Sequence, residues 1–225
     1  HYHMKKPHHG NPALLALLKS CGKKKDLVKI DRIRADLLHK GLIEKDIYIA
    51  NTLISLYGKC GELRKAKEVF DRIPARDVVS WTALIAGYAQ NECDEDALEC
   101  YRSMRAEGLS PNVVTFVCTL KSCGRIRAID KGREIHLEAE REGFVENNVS
   151  LGTALVDMYA RCGAILKAQE VFDVLPIRNV VSWTVLIAGY IQCQNGEEAL
   201  KCFERMKYEG LSPDAVTFLS LLKAC

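Results

Sequence analysis

The chain has 225 residues, 48% hydrophobic and 27% charged, enough apolar content for a buried core and too much for a disordered chain. Its 32 basic and 29 acidic side chains leave a net charge of +3, which permits a polyanionic partner without demanding one. Six prolines and 15 glycines exclude a collagen-like or low-complexity chain, and no apolar run approaches the roughly 20 residues of a helical membrane span, so no membrane partner is expected.

Residues 1–10 open with His1-Tyr2-His3-Met4, which reads as a tag remnant or frayed terminus, with no secretory signal. His1, His3, His8 and His9 are metal-ligand types, but in that setting no metal site is assigned to them and no cofactor is expected.

From residue 11 the sequence is cyclic. Residues 11–46, 47–77 and 78–112 form units of 36, 31 and 35 residues; 113–148, 149–179 and 180–214 repeat those lengths, and 215–225 opens a further unit and stops inside it. In the first unit, Lys19-Ser20-Cys21-Gly22 returns 102 residues later as Lys121-Ser122-Cys123-Gly124. In the second, Glu68-Val69-Phe70-Asp71 returns as Glu170-Val171-Phe172-Asp173. In the third, Asp77-Val78-Val79-Ser80-Trp81-Thr82 returns as Asn179-Val180-Val181-Ser182-Trp183-Thr184, and Glu107-Gly108-Leu109-Ser110-Pro111 as Glu209-Gly210-Leu211-Ser212-Pro213. Such a period marks a repeat architecture.

Each unit is predicted as two helices. In 78–112 the apolar residues Val79, Ala83, Leu84, Ala86 and Tyr88 have helical spacing; after the break Asn91-Glu92-Cys93-Asp94 it resumes at Ala97, Leu98, Tyr101 and Met104, and Gly108 and Pro111 close the second helix. In the 31-residue units the break is Lys59-Cys60-Gly61 or Arg161-Cys162-Gly163. One hairpin cannot bury its own apolar stripe, so neighbours must stack. The expected fold is all-α: an α-solenoid of stacked helix-turn-helix hairpins forming a right-handed superhelix. Seven of the ten cysteines obey the offset (21/123/225, 60/162 and 100/202), as packing positions do and disulfide partners need not; no pair has CxxC spacing, and all are read as reduced thiols in structural roles.

A period near 35 fits two families of helical hairpins. Tetratricopeptide units carry Trp-x2-Leu-Gly-x2-Tyr, whereas Trp81 and Trp183 are followed by Thr-x-Leu-Ile-Ala-Gly-Tyr. The alternating lengths, Val-Val-Ser-Trp-Thr-x-Leu-Ile-Ala-Gly-Tyr (78–88, 180–190), Ala-Lys-Glu-Val-Phe-Asp-Arg-Ile-Pro (66–74) and Gly-Leu-Ser-Pro (108–111, 210–213) resemble the pentatricopeptide repeat family, in its PLS subclass of plant organellar proteins. The resemblance covers residues 11–225 and makes 11–46 and 113–148 L-type repeats, 47–77 and 149–179 S-type, 78–112 and 180–214 P-type, and 215–225 the start of a truncated L-type repeat.

The resemblance implies sequence-specific binding of single-stranded RNA, about one base per repeat, chosen by the fifth and last residues of each unit. Those pairs are Asn51/Asp77, Thr82/Asn112, Thr153/Asn179 and Thr184/Asp214. An ionised Asp only accepts hydrogen bonds, which suits the ring N–H of uracil or guanine, while Asn also donates, which suits adenine or cytosine. The family supplies the rest: purine with Thr at the fifth position, pyrimidine with Asn. Leu15/Asp46 and Val117/Asn148 carry an apolar fifth residue and are read as spacers or weak readers. With the N-terminal repeat at the 5′ end, the expected hexamer is 5′-NUANAG-3′. Tyr48, Val79 and Val181 resemble base-sandwiching residues, with Ser150 in the same slot; for the valines core packing is the alternative. Lys23, Lys59, Arg125 and Arg161, at the thirteenth position, are expected to meet phosphates, although a cation there also suits a helix C-terminus; Gln90 and Gln192 complete that series. The bland reading of each Thr or Asn is a solvated or capping residue.

Plant PLS proteins often carry a zinc deaminase, which needs H-x-E followed by P-C-x-x-C. His136-Leu137-Glu138 matches the first element alone and is read as surface or packing residues of a helix; no other catalytic motif appears, and no enzyme activity is expected. The expectation is a site-recognition module for organellar RNA processing, pointing to C-to-U editing, in chloroplast or mitochondrion. Its implied partners are RNA, multiple organellar RNA editing factors and a deaminase in cis or in trans. The competing expectation is a protein–protein interaction scaffold.

Overall fold

The structure, a computed structural model, describes residues 11–146 and 148–222; the terminal histidine cluster and Cys225 lie outside the described residues. Among the described residues it holds thirteen helices and no strand. The chain divides into two compact units, His1–Asn112 and Val113–Cys225.

The first unit contains α1 (Pro12–Lys24), α2 (Leu27–His39), α3 (Ile47–Lys59), α4 (Leu63–Asp71), α5 (Val78–Gln90) and α6 (Asp94–Ala106). The odd-numbered helices pack on one another in sequence, and each even-numbered helix packs on the helix before it. Local chemistry sets the ends. Asp46 Oδ1 accepts from the backbone N–H groups of Tyr48 and Ile49, and Asp77 forms a capping box with Ser80. Turns within hairpins run through one left-handed residue each: Lys25, Gly61 and Glu92, with φ of 51°, 79° and 59°. Gly108, at φ 77°, closes α6, and Leu109 N–H reaches back to Met104 O.

The α3–α5 contact explains why α5 carries a glycine in mid-helix. A Cβ on Gly58 would lie 2.8 Å from Gly87 Cα, so the two backbones touch where any side chain would hold them apart. Asn91 Nδ2 then donates to both Gly58 O and Gly87 O at 2.8 Å, fastening the two helix ends together. Leu53, Ile54, Tyr57, Phe70, Leu84 and Ile85 form the core around this crossing.

The second unit repeats the plan with α7 (Val113–Arg125), α8 (Ile129–Arg141), α9 (Val149–Arg161), α10 (Ile165–Asp173), α11 (Val180–Gln192) and α12 (Gly196–Tyr208), followed by α13 (Ala215–Leu222) against α11. Asn179 and Ser182 form its capping box. The equivalent crossing is Gly189 against Ala160, with a Cβ on Gly189 falling 2.6 Å from Ala160 Cβ.

The repeated strings are a repeated packing unit. Phe70 meets Trp81 edge-on at 4.6 Å between centroids, Trp81 Nε1 donates to Glu107 Oε2 at 2.9 Å, and the Arg76 guanidinium sits 4.7 Å from the Phe70 centroid. Phe172, Trp183, Glu209 and Arg178 reproduce this with 4.5, 3.3 and 5.2 Å. The nine described cysteines are all free, and burial pushes the Cys100 and Cys202 thiols up to about 12 and about 11, which keeps them protonated and inert.

Candidate nucleic-acid interface

The paired polar residues fall at one recurring place. The fifth residue of each 31- or 35-residue unit lies in the second turn of an odd-numbered helix, and Asp77, Asn179 and Asp214 lie at the start of the next such helix. Local chain geometry dictates both. Thr82, Thr153 and Thr184 donate their hydroxyls to the carbonyls of Val78, Val149 and Val180 four residues back, which fixes the position of each hydroxyl. Asp77 and Asn179 cap α5 and α11 through Ser80 N and Ser182 N.

Three of the four pairs are joined. Asn51 Nδ2 donates to Asp77 Oδ1 at 3.3 Å, and Asn112 Nδ2 to Thr82 Oγ1 at 3.2 Å. Thr184 and Asp214 are linked through Thr217, whose hydroxyl lies 2.7 Å from Thr184 Oγ1 and 2.8 Å from Asp214 Oδ1; with Thr184 donating to Val180 O, the single Thr217 hydroxyl proton serves one or the other. Donation from the Thr217 backbone N–H, and after it from the Thr217 hydroxyl, holds the Asp214 carboxyl below the usual carboxylate range. Thr153 and Asn179 line one groove without a hydrogen bond between them among those described. Asn51, Thr82 and Thr184 are only 8%, 9% and 7% exposed, so they are edge residues of the packed layer, not solvated surface polars. Asn51 Oδ1 is buried with no hydrogen-bond partner among the described residues. Leu15 and Val117 are half-buried, and Asp46 and Asn148 act as caps of α3 and α9.

Tyr48, Val79 and Val181 are 50%, 55% and 57% exposed, so core packing is not what keeps these side chains apolar. Val114 and Val216, in the same slot of the next units, are exposed too, as is Ser150; the repeat offset would have found both valines. Lys59, Arg125 and Arg161 are the last residues of α3, α7 and α9, and Lys23 lies in the last turn of α1, where a cation meets the negative end of the helix dipole. Arg125 Nη2 donates to Ser122 Oγ, and Arg161 Nε to Asp157 Oδ1 at 2.8 Å. Gln90 and Gln192 end α5 and α11.

In the second unit these positions come together around one open groove of about 460 Å³, lined by Ser150, Thr153, Asn179 and Val181 and by the charged Lys121, Asp157 and Arg161. The groove lining therefore combines hydrogen-bonding groups, apolar side chains, two cations and one carboxylate. The sequence marks Lys121 only as part of the repeated Lys-Ser-Cys-Gly string and gives no sign of a site role for Asp157 or Thr217.

The H-x-E triplet does other work. His136 is buried, its Nδ1 lies 2.9 Å from Tyr159 Oη and its Nε2 3.2 Å from Glu140 Oε1, which ties α8 to α9. Burial lowers the His136 pKa, opposed by Glu140 and reinforced by Lys167. No helix of the described residues is long and apolar enough to cross a membrane.

The PPR repeat family profile matches residues 76–125 and 178–225, and the PPR repeat profile matches 48–78 and 153–180. The chain belongs to the PPR repeat family. It is 41% identical over 209 residues to the Arabidopsis thaliana pentatricopeptide repeat-containing protein At1g11290, chloroplastic, covering 93% of this chain and 26% of that protein. It is 38% identical over 186 residues to the putative pentatricopeptide repeat-containing protein At3g11460, mitochondrial, of the same plant, covering 83% of this chain and 30% of that protein. The PPR chain thus spans about a quarter to a third of these relatives. Its fold is also that of the pentatricopeptide repeat protein PPR10 crystallised with an 18-nt psaJ RNA element: TM-score 0.69 at 22% identity, over 97% of this chain and 35% of that one.

Proposed function

We propose that this PPR chain binds single-stranded RNA and reads it at about one base per hairpin. PPR10, whose fold it shares, was crystallised with an RNA element, and the observation that carries the reading here is the groove of the second unit. There the polar pair Thr153/Asn179, the exposed Val181 and the cationic Arg161 converge on one open surface. The three chemistries match a Watson–Crick edge, a base face and a phosphate.

In this reading 11–46 and 113–148 are L-type, 47–77 and 149–179 S-type, 78–112 and 180–214 P-type repeats, and 215–225 opens another L-type repeat. Asn51/Asp77 selects U, Thr82/Asn112 and Thr153/Asn179 select A, and Thr184/Asp214 selects G, giving 5′-NUANAG-3′. Tyr48, Val79 and Val181 sandwich bases, and Lys23, Lys59, Arg125 and Arg161 meet phosphates. The protein works in a plant organelle, as the chloroplastic and mitochondrial names of its relatives suggest. Its task there is to select sites for C-to-U editing, with editing factors and a deaminase as partners. Fluorescence anisotropy with labelled RNAs carrying 5′-NUANAG-3′ tests the reading against scrambled controls. Tighter binding of the matched RNA is expected. Equal affinity for all RNAs defeats the base assignment, and no affinity for any RNA favours a protein-binding scaffold.

A further inference from the structure

The two copies of the sequence differ at several positions around the groove, and one of these differences creates an ion pair. Where the second unit has Asp157 and Arg161, the first has Ser55 and Lys59. Arg161 is held on two sides. Its Nε donates to Asp157 Oδ1 at 2.8 Å, one turn back on α9. Its stem lies against α7 at Gly124, where a Cβ would fall 3.1 Å from Arg161 Cδ. The terminal nitrogens Nη1 and Nη2 take no part in the Asp157 bond, the Arg161 side chain is half exposed, and it lines the groove. A guanidinium tied through Nε presents its two remaining amino groups as a fork, the geometry that grips two oxygens of one phosphate; a lysine offers a mobile point charge.

We infer that Asp157 is a positioning residue: with Gly124 making room for the stem, it holds Arg161 as a rigid two-nitrogen clip for an RNA phosphate. The inference rests on the RNA-binding reading. Its sign is opposite to that of simple electrostatics. Asp157 adds a negative charge beside a polyanion, so if charge alone mattered, removing it would tighten binding. As a positioning residue, its removal frees the guanidinium and weakens binding, while Asp157→Asn, whose Oδ1 still accepts from Nε, restores it.

The test measures binding of fluorescein-labelled 5′-CUACAG-3′ to the full chain and its variants by anisotropy, with thermal unfolding as a check of folding. Asp157→Ala is expected to weaken binding about threefold to fivefold, the range of an exposed ion pair, and Asp157→Asn to stay within about twofold of the parent. Arg161→Ala is expected to weaken it at least as much as Asp157→Ala and to lower the salt slope by about 0.7. In the Arg161→Ala background, Asp157→Ala adds nothing. Arg161→Lys, which keeps the charge and the fold but loses the fork, also weakens binding. Unchanged or tighter binding by Asp157→Ala or Arg161→Lys overturns the inference while the RNA reading stands. A parent chain with no affinity for RNA overturns both.

Discussion

Asn179 does two things in one place: its Oδ1 caps α11 through Ser182 N, and its side chain lines the groove beside Thr153. Asn179→Asp keeps the cap and turns a donor into an acceptor, so the expected outcome is an unchanged melting temperature with base preference at that position moved from A toward G. Asn179→Ala removes both and is expected to cost about 1 kcal/mol of stability as well; chemical denaturation measures it. His136 supplies a pH prediction. Its pKa is lowered in the folded chain, so the unfolded chain binds the proton more readily, and stability is lost as pH falls below the ordinary histidine value. The parent is expected to lose more thermal stability between pH 7 and pH 5 than His136→Gln, because Tyr159, Glu140 and Lys167 stay in place in both. At this scale the sequence was legible for capping residues and opaque for contacts. Val79 falls on an apolar helical spacing yet is exposed, because α5 is apolar nearly all round and spacing alone cannot say which side faces solvent.

Among elements, the helix breaks were readable because glycine and polar clusters interrupt a 3.6-residue pattern, and α5 ends at Gln90 just before the Asn91 break. What joins the elements was not readable. That Phe70, Trp81, Glu107 and Arg76 recur together at one offset is visible in the sequence, but their mutual contact is a property of the stacked hairpins. Trp183→Phe keeps the edge-on ring contact with Phe172 and loses the N–H to Glu209, for an expected cost of about 1 kcal/mol; Trp183→Ala loses the ring too and should cost about 3–5 kcal/mol. Gly189→Ala places a methyl 2.6 Å from Ala160 Cβ and 3.0 Å from Ile165 Cδ1. That overpacking is expected to destabilise by about 1–3 kcal/mol in urea titrations.

At the scale of the molecule, the proposed RNA reading puts four cations at the ends of first helices against phosphates. The logarithm of the binding constant for RNA is then expected to fall against the logarithm of salt concentration with a slope of about −3; a slope near −8 would point to diffuse charge attraction instead. Under the proposed RNA reading, the glycine crossing between α3 and α5 has a consequence for the strand that is bound. Helices packed backbone to backbone lie about 8 Å apart, whereas nucleotides in a stacked strand advance about 3.4 Å. A ruler with that coarser spacing fits only an extended strand, with each nucleobase drawn away from the next. On that reading a target folded into its own stem would have to melt first, and the same six bases placed in a duplex are expected to compete poorly with the open strand.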